Sequence, residues 1–149
     1  MKTRTFSFSS DRLLGRVMTP VRLVNPFTNE TMETIALWDT GAVNSVVSNV
    51  AAEYLQLKRM GKIVASGIFK SKRVSTYYAL LRLSENVSIP ILPAEFQEQP
   101  APGVDCIIGM DVISKGDFTI SNYKGRTRFC FRIPSGGDVD LTEEGMRQP

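Results

Sequence analysis

At 149 residues, with hydrophobic side chains at 42% and charged ones at 22%, the chain is the size of one domain able to bury a core without staples. Its 18 basic and 15 acidic residues leave a formal charge of +3, too small and too scattered an excess to imply a nucleic-acid partner. Histidine is absent, which excludes Ser-His-Asp and Cys-His nucleophilic sites and His-ligated zinc; chemistry must run on carboxylates, Lys, Tyr, Cys or Ser-Lys pairs.

The N-terminal segment carries Lys2 and Arg4, but Ser9, Ser10, Asp11 and Arg12 interrupt it before an apolar signal core forms, and no later apolar run reaches bilayer length. A cytoplasmic protein without membrane contact is expected. Cys106 and Cys130 are too few for a disulfide framework and lack paired metal-ligand spacing, so they read as small core residues, with a single bridge between them left open. Lys58, Arg59, Lys62, Lys70, Lys72 and Arg73 concentrate in one third of the chain and read as a solvated face. Near a bound substrate they would favour acidic peptides.

In chain order, residues 3–9 alternate polar and apolar through Phe6 and Phe8, the pattern of an edge or intersubunit strand. Residues 17–24 and 31–38 read as two strands joined by the turn Asn25-Pro26-Phe27-Thr28-Asn29. Residues 45–47 look extended, and Ser48 or Asn49 can cap a short helix over 50–55. Beyond Gly61, residues 63–69 and 74–83 form a second hairpin, turning at Lys70-Ser71-Lys72-Arg73. Residues 88–96 are a strand interrupted by Pro90 and Pro93, which push it toward an edge or a bulge, and 97–103 form a loop. Val112 and Ile113 suit a short helix ended by Gly116, after which 118–120 and 128–131 are strands about the turn at 122–126. The strands around Phe6 and Phe8 and around Phe129 and Phe131 are expected to expose apolar surface unless a second copy covers them.

From Pro134 onward Gly136, Gly137, Asp138, Asp140, Glu143 and Glu144 outnumber side chains able to pack, so 1–133 is expected to be the domain and 134–149 a flexible tail. Short strands with frequent turn signals, and neither a repeat nor a long amphipathic helix, predict an all-β barrel or sandwich with one or two short helices.

Two stretches carry chemistry. Met32 to Trp38 reads as a strand that delivers Asp39 to its end; Thr40 offers a hydroxyl donor, and Gly41 lets backbone and partner approach closely. By itself Asp39-Thr40-Gly41 equally fits a turn closing a hairpin. The second stretch is Asp105-Cys106-Ile107-Ile108-Gly109-Met110-Asp111-Val112-Ile113. Together they resemble the retropepsin-like aspartic proteases, in which an Asp-Thr-Gly-Ala loop supplies the catalytic carboxylate and a later pair of apolar residues followed by Gly packs behind it. Ser45 and Ser48 match the Asp-Thr-Gly-Ala-x-x-Ser pattern of non-viral members, and Gly116-Asp117-Phe118 followed by Ile120 is similar to their continuation. The resemblance spans roughly residues 15–131. Trp38 stands where the family usually has a smaller aliphatic residue, and Met110-Asp111 replaces the dimer-bracing Arg of retroviral enzymes, which points to a cellular or bacterial relative.

The resemblance implies a closed or partly open barrel with a flap hairpin. It implies an aspartic endopeptidase with Asp39 catalytic and Thr40, Gly41 and Ala42 supporting the loop. Ile107, Ile108 and Gly109 would pack behind the site, and Ser66, Gly67, Ile68 and Phe69 would cover a peptide or protein substrate. Neither metal nor cofactor is expected. The chemistry needs two carboxylates sharing a proton, yet the chain holds one Asp-Thr-Gly and no second such loop. A homodimer contributing Asp39 from each copy is therefore expected, with Thr40 bonding across the axis. Asp105, Asp111 and Asp117 are assigned to caps, turns or surface. A catalytically silent binding module of the same fold, and a structural β-domain with a chance motif, are the competing readings.

Overall fold

The computed structural model describes residues 2–66, 71–96 and 98–142. Its strands are β1 (Arg4–Ser9), β2 (Met18–Val24), β3 (Thr31–Trp38), β4 (Val46–Ser48), β5 (Lys58–Ser66), β6 (Ser71–Ser84), β7 (Val87–Ile91), β8 (Ala94–Phe96), β9 (Val104–Ile108), β10 (Asp117–Ser121) and β11 (Arg128–Ile133). Two short helices, α1 (Asn49–Tyr54) and α2 (Met110–Ile113), follow β4 and β9. Strands β2-β3-β9-β4-β8-β6 run side by side, and the pairing of β6 back onto β2, through Leu23↔Leu81 and its neighbours, closes them into a six-stranded barrel. β5 and β7 extend from β6. The expected all-β barrel with short helices is the fold observed.

The first hairpin forms as its sequence dictates. β2 and β3 pair from Met18↔Leu37 to Val24↔Thr31. Asn25 is buried at the turn, where its amide donates to the carbonyls of Leu55 and Gln56 at 2.9 and 3.1 Å and so ties the turn to the end of α1. Ser48 caps α1 by accepting from the Ala51 amide at 3.0 Å.

The second hairpin differs from expectation. β5 begins at Lys58, takes up Met60 in a register shift between Arg59 and Gly61, and pairs with β6 from Lys58↔Tyr78 to Ser66↔Ser71. Lys72 and Arg73, expected in the turn, are strand residues opposite Ala65 and Val64. Their charge suits an exposed strand position as well as a turn. Pro93 falls between β7 and β8, which are separate strands.

A three-stranded sheet, β1-β11-β10, packs beside the barrel. Its contact is aromatic: Trp38 lies with its ring centroid 4.6 Å from Phe129, 5.4 Å from Phe131, 5.8 Å from Phe118 and 6.4 Å from Phe6. Phe129 and Phe131 are thereby buried to 1% and 0% exposure. The apolar face expected to need a second copy is covered within the chain, because the large residue at position 38 fills the space beneath it. Such aromatic pairs add about 0.5–1.5 kcal/mol each beyond their area burial. Both cysteines are free, Cys106 buried on β9 and Cys130 half-buried on β11. Among the described residues no helix is long and apolar enough to cross a membrane.

Candidate active site

β3 and β9 lie parallel and in register at their ends, with Trp38 opposite Ile108. Both strands therefore release their chains at the same end of the barrel, and Asp39 emerges beside Gly109. The Asp39 amide donates to the Ile108 carbonyl at 2.9 Å, and the Trp38 amide to that of Val17 at 2.9 Å, so the last strand residue is held from both sides. The loop then folds on the carboxylate: the Gly41 amide donates to Asp39 Oδ1 at 2.8 Å, and the Ala42 amide to the Asp39 carbonyl at 3.2 Å. A Cβ on Gly41 would sit 3.1 Å from Asp39 Oδ1, which is why the smallest residue suits this position. Asp39 is half-buried and Thr40 exposed.

The Ile107-Ile108-Gly109 stretch meets this loop from behind. Met110 donates its amide to the Ala42 carbonyl at 2.7 Å, and Asp111 its amide to that of Val43 at 3.1 Å. A Cβ at Gly109 would lie 2.8 Å from the Ala42 oxygen and from the Asn44 carbonyl, so the crossing of the two segments requires glycine there. Thus Asp39, Thr40, Gly41 and Ala42 come together with Ile108 and Gly109, while Ile107 pairs with Leu37 and Val46 on either side. Ser66 lies at the end of β5, and Gly67, Ile68 and Phe69 lie outside the described residues.

The acids assigned to caps, turns or surface have other places. Asp105 is buried on β9 and accepts from Thr34 Oγ1 at 3.0 Å, Ser48 Oγ at 2.7 Å and Gln99 Nε2 at 2.8 Å, joining β3, β9 and the start of α1. It is a core hub rather than a surface group, because hydroxyls and an amide satisfy its oxygens. Asp111 Oδ1 accepts from the Ser45 amide at 2.8 Å and its hydroxyl at 2.7 Å. Burial pushes the Cys106 thiol up to about 12, with the charges of Asp111 and Asp105 adding to the effect. It is an inert core thiol.

Beside Asp39 and Thr40 opens a cleft of about 400 Å³, walled by Leu14 to Val17, Leu37, Trp38, Phe118, Ile120, Asn122 and Thr127. Thr127 is buried and shapes one wall: its hydroxyl accepts from the Leu14 amide at 2.9 Å and donates to Asn122 at 2.7 Å. Sequence reasoning singled out none of Leu14, Arg16, Asn122 or Thr127 for this wall. They come from separate segments, and no local spacing marks them. Chemically the site offers one oriented carboxylate at the mouth of a cleft, able to exchange a proton with a water or a bound carbonyl. Among the described residues no cluster of His, Cys, Asp or Glu could hold a metal ion.

No family model matches the chain, and no curated protein matches it. Solved structures do. The fold is similar to that of a retropepsin-like aspartic protease from Rickettsia conorii, with a TM-score of 0.53 and 12% identity over 89% of this chain and 96% of that one. It is also similar to EIAV protease complexed with an inhibitor, with a TM-score of 0.50 and 18% identity over 70% of this chain and 91% of that one. The chain has the retropepsin-like fold.

Proposed function

We propose that this chain, folded as a retropepsin-like domain, is one half of an aspartic endopeptidase whose two catalytic carboxylates are the Asp39 residues of two copies. The observation that carries the reading is Asp39 itself, delivered by β3 to the mouth of an open cleft with one carboxylate oxygen held by the Gly41 amide. One carboxylate is half of what peptide hydrolysis needs. In the pair, one member takes a proton from the attacking water while the other, protonated, hydrogen-bonds the scissile carbonyl; the two must hold one proton between them. Asp105, Asp111 and Asp117 are bonded elsewhere in the chain and the sequence holds no second Asp-Thr-Gly loop, which supports a second copy as the source.

The edge of β10 supports a place for that copy. β10 pairs with β11 along one side, and its Phe118 and Ile120 line the same cleft as Asp39, with Ile120 45% exposed. An isologous contact there sets like surfaces against each other about a two-fold axis. The β5–β6 hairpin is the element we assign to cover a bound peptide, and the domain to residues 1–133.

A diverse peptide library, incubated with the protein from acid to neutral pH, tests the reading. Cleavage is expected, with a bell-shaped pH dependence, inhibition by a peptide mimic carrying a tetrahedral hydroxyl, and indifference to metal chelators. A library left intact, together with tight binding of intact peptides, would instead support the silent binding module.

A further inference from the structure

We infer that Ser45 and Asp111 form a positioning clamp that fixes the Asp39 loop against the barrel and so sets where the carboxylate points. The inference rests on Asp39 as the catalytic group and deepens that reading. Residues 39–45 leave β3 and must cross the segment that leaves β9, and backbone bonds from Met110 and Asp111 to Ala42 and Val43 hold the first part of the crossing. The second part is held by side chains. Ser45 is fully buried, and each of its polar groups is engaged: its amide and hydroxyl both donate to Asp111 Oδ1, its hydroxyl accepts from the Gly109 amide at 3.0 Å, and its carbonyl accepts from the Ala94 amide at 3.1 Å. Among the described residues Asp111 is thus the one side chain that grips both the amide and the hydroxyl at the far end of the Asp39 loop.

The consequence is directional. A carboxylate acceptor makes stronger hydrogen bonds than a neutral one, and a hydroxyl that donates to it while accepting from Gly109 fixes both segments together. With Asp111 replaced by alanine the Ser45 amide loses its partner and the hydroxyl loses its orientation. The loop is then free to shift relative to β9 while Asp39, at its other end, keeps its identity and its substrate contacts. Misplacement of a reacting group on the order of 1 Å costs about 100-fold in rate, whereas peptide affinity is spread over the cleft. The clamp therefore acts on kcat and spares KM.

The test compares the parent with Asp111→Ala, Ser45→Ala and Asp111→Asn, the last keeping an Oδ1 acceptor. For Asp111→Ala, kcat is expected to fall by about 10- to 100-fold with KM within about 3-fold, and Asp111→Asn is expected to recover most of the loss. Amide exchange gives a readout that needs no activity: the Gly41 amide, which holds Asp39 Oδ1, and the Gly109 amide should exchange at least about tenfold faster in Asp111→Ala, with amides of β6 and β11 unchanged. Should Asp111→Ala not fold, Ser45→Ala carries the same comparison. Parental kcat in a folded clamp variant, a loss confined to KM, or unchanged Gly41 exchange overturns the clamp. A parent that cleaves no peptide overturns the proposed function alone, and Gly41 exchange then decides the clamp.

Discussion

Trp38 shows how much a single residue next to the site decides. As the last residue of β3 it precedes Asp39 directly, and its ring is the floor on which the terminal sheet's phenylalanines pack. Its indole N–H donates to Thr19 Oγ1 at 2.9 Å, a hydroxyl with 0% exposure. Trp38→Phe keeps an aromatic ring but deletes that donor and part of the packing. It is expected to lower stability by about 1–3 kcal/mol, the range for leaving a buried polar group unsatisfied. Urea unfolding of the two proteins measures it, and an unchanged midpoint at equal slope would show that neither the bond nor the packing matters. The unusual size of this residue was visible in the sequence. Its use was not, because which strands supply the phenylalanines around it is a matter of topology.

The elements show the same division between local and distant signals. The hairpin of β2 and β3 and the Ser48 cap of α1 were legible because each rests on neighbours in the chain, whereas the Asp39 loop beside Gly109 was legible only through the resemblance that its two motifs carry. The turn of the second hairpin was misplaced, since Lys72 and Arg73 suit an exposed strand and a turn alike. Asp105 and Asp111 were assigned to caps, turns or surface because their partners, Thr34, Ser48 and Ser45, lie far away in sequence. Asp117, at the start of β10, is a third such case: it takes hydrogen bonds from Ser135 and the Gly136 amide and an ion pair from Arg132 of β11, pinning the residues after β11 to the terminal sheet. These bonds, the Ser135 hydroxyl foremost, then the Gly136 amide and Arg132, hold its carboxyl down at about 2, below the ordinary 3.8. Because the folded state favours the ionised form, the contribution is full above the ordinary value and disappears as pH falls through about 2. The melting temperatures of the parent and Asp117→Asn should differ near neutral pH and converge as pH falls from about 4 to about 2. A gap that stays constant down to the acid limit would mean the carboxylate's charge is not what anchors this end.

At the scale of the whole molecule, we propose that a closed barrel with an oriented carboxylate becomes an enzyme on pairing with its own copy. Closure of the barrel through β2 and β6 gives a chain whose cysteines are both free a continuous frame from which the Asp39 loop emerges. The internal cover over Phe129 and Phe131 removes their apolar face from the reasons to dimerise. What remains is the chemistry itself, together with the exposed Ile120 edge. Asp39→Asn keeps the shape of the side chain and an oxygen for the Gly41 amide, but it cannot accept or deliver the proton on which hydrolysis turns. The most direct measurement is turnover of a peptide that the parent cleaves, by Asp39→Asn protein whose fold and sedimentation match the parent dimer. A dimer with no detectable cleavage is expected; substantial cleavage by that dimer, or cleavage by a parent that sediments strictly as a monomer at the assay concentration, would overturn the paired-carboxylate reading.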